Sequence, residues 1–166
     1  MKLSTIQTKE IKAKEFQQSI EKLGKKLTKE ETQILICHNT KLKFRDYSAE
    51  NVKEVQKSFV KASSMVGVNE PLEDWACVDL TLFCVSEFKD FSFSEIIEAC
   101  KKYNSGKLDF KDGHYQNFSQ KFLGDLLNSY RSYRNKILMK YHKELENSIE
   151  QVEPTEEEKK AIEKDY

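Results

Sequence analysis

The chain has 166 residues, 34% of them charged and 38% hydrophobic, with only five Gly and two Pro. That length fits one domain with a proper core, and so few turn-formers favour helices over a barrel or a sandwich. A formal net charge of zero excludes a uniformly basic or acidic surface, yet it hides segregation by segment, which bears on partners rather than on fold.

Residues 1–30 hold eight Lys against four Glu. The N-terminus, MKLSTIQTKEIKAKEFQQ, lacks the apolar centre of a signal peptide. No apolar run approaches the ~18 residues of a membrane-spanning helix either, so a cytoplasmic location is expected. Phe16, Ile20 and Leu23 fall at i, i+4 and i+7, predicting a helix that ends at Gly24, loosely packed over 1–25. Thr28-Lys-Glu-Glu31 is a capping box opening a short helix through ETQILICH. NTKLKFRDY reads as a loop. Ser48 then caps a third helix, whose stripe of Val52, Val55, Phe59, Ala62 and Val66 stops at Gly67.

VNEPLEDWACVDLTLFCVSEF follows. Pro71 suits a first helical turn, and Glu70, Glu73 and Asp74 suit the positive end of the dipole. Nearly every position from Leu72 to Phe88 is apolar, which predicts a central helix over 71–89, packed on several sides, with Trp75 in the core. Asp79 interrupts it. An unpaired buried carboxylate is costly, so Asp79 either faces water or is held by an Arg or Tyr from another helix. The whole segment 70–100 holds eight acids against one Lys.

Ser92-Phe-Ser-Glu95 is a second capping box. The helix it opens turns Ile96, Ile97, Cys100 and Tyr103 inward and closes at Asn104-Ser-Gly106, with Glu95 on the cap and Glu98 in solvent. KLDFKDGHYQNF is turn-rich. Ser119 caps a long last helix, about 119–145, striped by Phe122, Leu123, Leu126, Leu127, Tyr130, Ile137, Leu138 and Tyr141. Tyr130 falls in the core and Tyr133 at its edge. Arg131 falls in solvent, and Arg134 can reach Asp79 or another acid of 70–100.

The outer edge of that helix is the candidate nucleic-acid surface: Arg131, Tyr133, Arg134, Lys136, Lys140 and Lys143. Cations neutralise phosphates, and rings stack on unpaired bases. A merely solvated face has the same pattern. Residues 144–166 then hold nine acids against three Lys, and 150–166 read as a mobile acidic tail able to compete with phosphates for the basic edge. The expected fold is all-α: one domain over 1–149, a compact bundle of five to seven helices.

Catalytic signatures are missing. There is no glycine-rich phosphate loop, GxSxG or HExxH, and His38, His114 and His142 are scattered. Cys37, Cys77, Cys84 and Cys100 include no CxxC. Cys77 and Cys84 lie two turns apart, roughly 10 Å, too far to share one tetrahedral ion. Reduced, buried thiols are expected, with no metal, no cofactor and no enzymatic activity.

Over residues 72–136, three features occur in sequence. The helix carrying Trp75 is followed by FSFSEIIEACKKYNSGKL, then by an aromatic pair before FLGDLLNSYRSYR. The pattern resembles small helical replication-associated accessory proteins of Bacteroidota phages and mobile elements, and the layout is similar to phage helicase loaders. The resemblance implies an accessory role in DNA replication. It would act by contact with a replicative helicase or origin complex, with weak affinity for single-stranded DNA. No family residue maps onto a defined motif here. The residues themselves also admit a protein-interaction or inhibitor protein, directed at a host factor through its acidic segments and without nucleic-acid binding.

Overall fold

The computed structural model describes residues 5–24, 26–39, 42–109 and 117–150. Among them six α-helices are found: α1 (Thr5–Leu23), α2 (Lys29–His38), α3 (Val52–Met65), α4 (Asp74–Glu87), α5 (Phe93–Asn104) and α6 (Gln120–Glu150). Two single 3-10 turns, Phe44–Asp46 and Ala49–Asn51, precede α3. The described residues contain no strand, only an isolated bridge between Lys43 and Ser92. The fold is all-α with a long C-terminal helix. Beyond Glu150, the expected acidic tail lies outside the described residues, as do His114 and Tyr115.

The chain divides into two compact units, residues 1–28 with 138–166, and residues 29–137. In the first, α1 meets the C-terminal part of α6. The Phe16 and Tyr141 rings pack edge to face at 6.0 Å, Ser19 shares a hydrogen bond with the Tyr141 hydroxyl, and Lys26 pairs with Glu144 at 3.1 Å. Ile20 and Leu23, from the stripe that makes α1 amphipathic, are buried.

In the second unit α5 packs on both α2 and α3, and α3 also packs on α4. Local signals set the ends of these helices. Gly67 (φ 83°) and Gly106 (φ 67°) take the left-handed conformation that lets α3 and α5 stop. There Val68 N–H reaches Ser63 O at 3.0 Å, and Lys107 N–H reaches Lys102 O at 3.0 Å, each closing a Schellman cap. Ser119 Oγ accepts from Phe122 N–H at 3.2 Å to start α6.

The segment expected as a loop contributes to the core. Phe44 is fully buried, and its N–H donates to Phe91 O at 2.9 Å. Its ring meets Phe93 at 4.9 Å and Phe59 at 6.3 Å. Phe88, Phe91 and Tyr130 continue this aromatic seam. Lys41, Lys43, Arg45 and Asp46 kept residues 40–48 from reading as an anchor, yet a single Phe suffices.

Two expectations are corrected, and one left open is decided. First, α4 begins at Asp74, after Pro71, and it is not surrounded. Its buried residues are Cys77, Leu80, Thr81 and Cys84 on one face, whereas Trp75 is 66% exposed. Trp75 therefore lies outside the core. Second, Asp79 is exposed and is not held by Arg134, which turns to other acids. Third, Glu98 is buried rather than solvated, because lysines of its own helix neutralise it.

Candidate functional site

The basic row expected along α6 is largely occupied by internal partners. Arg134 is buried, 3% exposed, because position 134 falls on the stripe that carries Tyr130 and Ile137. Its Nη1 donates to Glu95 Oε1 at 3.0 Å and its Nη2 to Asp90 Oδ2 at 2.8 Å. The guanidinium also lies 4.4 Å from the Phe91 ring centroid. Arg131 is half-buried rather than solvated, within 3.4 Å of Asp90 Oδ1 and stacked over Phe88 and Phe91 at 5.0 and 5.1 Å. The Tyr133 hydroxyl donates to Glu30 Oε1 at 2.7 Å. Lys136, Lys140 and Lys143 are exposed, the last two in the other unit. A phosphate strand therefore does not meet a continuous row of six groups: Arg134 is withdrawn from it, and Arg131 and Tyr133 already have acidic partners.

Glu95 is the centre on which this side of the molecule converges. It is fully buried at the third position of α5. Oε2 accepts from Ser92 N–H at 2.8 Å, completing the cap that the sequence encodes. Lys43 Nζ stands 3.7 Å from Oε2, and His38 Nδ1 stands 3.4 Å from Oε1. The Ser92 hydroxyl in turn donates to Cys37 O at 2.6 Å, tying the cap to α2. Burial pushes the Glu95 carboxyl up. His38, Arg134 and the Ser92 N–H together outweigh it and hold the group below its ordinary value. Burial depresses the Lys43 ammonium. A carboxylate so enclosed has no access to a substrate, and its chemistry is positional: it fixes α2, α5 and α6 to one another.

A second ionic group sits beside it. Glu30 contacts Lys107 and pairs with Lys102 at 3.1 Å. Hydrogen bonds from Lys107 and Tyr133 hold its pKa at about 2 against partial desolvation. Lys102 also pairs with Glu98 at 2.8 Å, and Lys101 with Glu98 at 3.0 Å. Burial and Glu30 together push the Tyr133 phenol up to about 12. The sequence singled out Tyr133 as a stacking ring rather than as a partner of Glu30, and Lys102 and Lys107 not at all, because hydrophobic periodicity assigns a residue to a face and says nothing about its counter-charge.

The open face of α4 has a different chemistry. Trp75, Val78 and Leu82, at i, i+3 and i+7, are 66%, 43% and 57% exposed. Asp79 and Ser86 share that face and are exposed too. On this face the Trp75 indole N–H donates to Glu73 and the Ser86 hydroxyl to Glu87 Oε1 at 2.7 Å. Half-buried Phe83 flanks the ridge, close to Gly124 of α6, where an added Cβ would come within 3.1 Å of the ring. The acids Glu70, Glu73, Asp74, Asp79 and Glu87 are all exposed, and residues 70–88 contain no Lys or Arg. An apolar ridge about two turns long, rimmed by one sign of charge, is what a protein-contact surface looks like before it is covered. The missing signal lay in the sequence: a helix with apolar residues all round either is buried or presents one apolar face outward, and the pattern fits both.

All four cysteines are free and buried. Among the described residues no group of His, Cys, Asp and Glu could hold a metal ion, and no helix is long and apolar enough to cross a membrane. No protein-family profile, curated protein or solved structure matches the chain.

Proposed function

We propose that this chain is a non-enzymatic adaptor, acting in the cytoplasm by protein contact, and that α4 makes the contact. The observation that carries the reading is the ridge of Trp75, Val78 and Leu82, open to solvent on a helix whose other face is core. Trp is among the side chains that concentrate binding energy at protein interfaces, and leaving it exposed brings the isolated chain no folding benefit. The resemblance of residues 72–136 to replication-associated accessory proteins supports a setting in phage or mobile-element DNA replication, with a replicative helicase as the partner class. Affinity for single-stranded DNA is a secondary, weak property of the exposed Lys140 and Lys143 in one unit and, separately, of Lys136 in the other.

A photo-crosslinking residue placed at Leu82, and separately at Val78, tests the contact in cells. The expected outcome is one replication protein recovered from both positions and not from Lys53 of α3. Adducts equally abundant at all three positions, or none at Leu82 and Val78, overturn the reading. A salt titration with single-stranded DNA tests the secondary property. Binding that weakens steeply with salt supports it; absence of binding at low salt removes it and leaves a pure protein-interaction module.

A further inference from the structure

We infer that the occupant of the open α4 face is a basic amphipathic helix of a partner protein. This rests on the reading of that face as a contact surface and adds the sign and shape of what covers it. The shape comes from the spacing. Trp75, Val78 and Leu82 lie one to two turns apart along one line, roughly 10 Å from end to end. A ridge of that length accepts the apolar stripe of a single helix, read as i, i+3/i+4 and i+7 anchors.

The sign comes from where the carboxylates stand. Asp79 lies within the apolar face itself, four residues from Trp75 and three from Leu82. A partner that covers the ridge takes that carboxylate out of water, which is costly unless a cation meets it. Glu73 and Asp74 bracket the ridge at the N-terminal end of α4, and Glu87 brackets it at the other, all exposed. A partner carrying Lys or Arg along the flanks of its apolar stripe is therefore attracted at both ends and satisfies Asp79 in the middle. The same five acids of residues 70–88 repel a nucleic-acid strand, an anionic lipid surface, and a second copy docking through its own α4.

The chain has a single Trp, so its fluorescence reports this face directly in the intact protein. The probes are three synthetic helical peptides of about five turns. They share one Leu stripe and carry Lys, Gln or Glu on the flanks. The Lys peptide is expected to shift Trp75 emission to the blue in a saturable way, more weakly as salt rises. The Gln peptide is expected to bind more weakly, and the Glu peptide to leave the emission unchanged. Asp79→Asn, at an exposed position, is expected to weaken the Lys peptide by about tenfold, the loss of one favourable pair. Leu82→Lys is expected to weaken all binding, with the helical circular dichroism unchanged. Gln and Glu peptides that shift Trp75 as well as the Lys peptide does would overturn the basic occupant and leave the contact surface standing. No shift with any peptide overturns both. A concentration-dependent dimer that itself buries Trp75, abolished by Leu82→Lys, makes the occupant a second copy and overturns the inference.

Discussion

Removing the Glu95 carboxylate would leave Arg134 and Lys43 buried without their shared counter-charge and Ser92 N–H without its cap acceptor. Glu95→Ala is expected to lower stability by about 3–5 kcal/mol in urea unfolding, the range for breaking a buried ion pair from one side. Glu95→Gln keeps an acceptor for Ser92 and should fall between that value and wild type. Trp75→Ala has the opposite expectation. With its ring in solvent, the variant should melt within a few degrees of wild type, a cost below about 1 kcal/mol. A loss of about 3 kcal/mol or more would mean the ring is covered in the isolated protein. At this scale the sequence was legible where a motif names both partners. Ser92 and Glu95 stand three apart, and the capping box they form is the one observed. It was not legible where the partner comes from a distant element, as for Arg134 with Glu95 or Glu30 with Tyr133, since counter-charges leave no periodic trace.

Among the elements, α4 shows why burial cannot be inferred from apolarity alone. Both of its faces are apolar, and a 3.6-residue period has no contrast to report when one face is core and the other is open to solvent. The stripes of α3, α5 and α6 were readable because each sets apolar positions against polar ones. Gly67 and Gly106 mark the ends of α3 and α5, and Ser119 marks the start of α6. Ser48, however, stands before the 3-10 turn Ala49–Asn51, and α3 itself begins at Val52. The approach of α4 to α6 depends on Gly124. A Cβ there meets the Phe83 ring at 3.1 Å, and a larger side chain must displace it. Gly124→Leu should cost about 1–3 kcal/mol by overpacking, whereas Gly124→Ala should be near neutral, its gain in helix propensity of about 1 kcal/mol offsetting the crowding. Thermal melts of the two variants check the contrast. If Leu proves as harmless as Ala, the close approach of the two helices is not required.

At the scale of the whole molecule, the ionic networks predict acid sensitivity with a definite sign. Glu30, Glu95, Glu98 and Asp90 all titrate below their ordinary values in the folded chain. Between the unfolded carboxylate range of about 4 and the folded values, the unfolded chain binds more protons than the native one. The stability these groups contribute is thus complete above about pH 4.5 and is lost as pH falls through the folded values. The Tm should fall steeply between about pH 4.5 and 2, and Glu30→Gln should flatten the lower part of that slope, because Glu30 titrates at about 2. An unchanged slope in the variant would show that Glu30 is not held as described. The all-α class was legible from composition and stripe. The division of α6 between two units after Ile137 was not, because its apolar stripe runs on through Leu138 and Tyr141 without a break.

The four buried cysteines have a practical consequence. Burial pushes every thiol up, Cys37 and Cys77 modestly, Cys100 to about 12 and Cys84 further still. Almost no thiolate is present at neutral pH to attack a reagent. The native chain should therefore be silent to a disulfide reagent and titrate all four thiols only once denatured. Against that silent background, Ser86→Cys would place a single reactive handle on the open face of α4. A dye, spin label or tethering group could then be installed there without first removing a native cysteine.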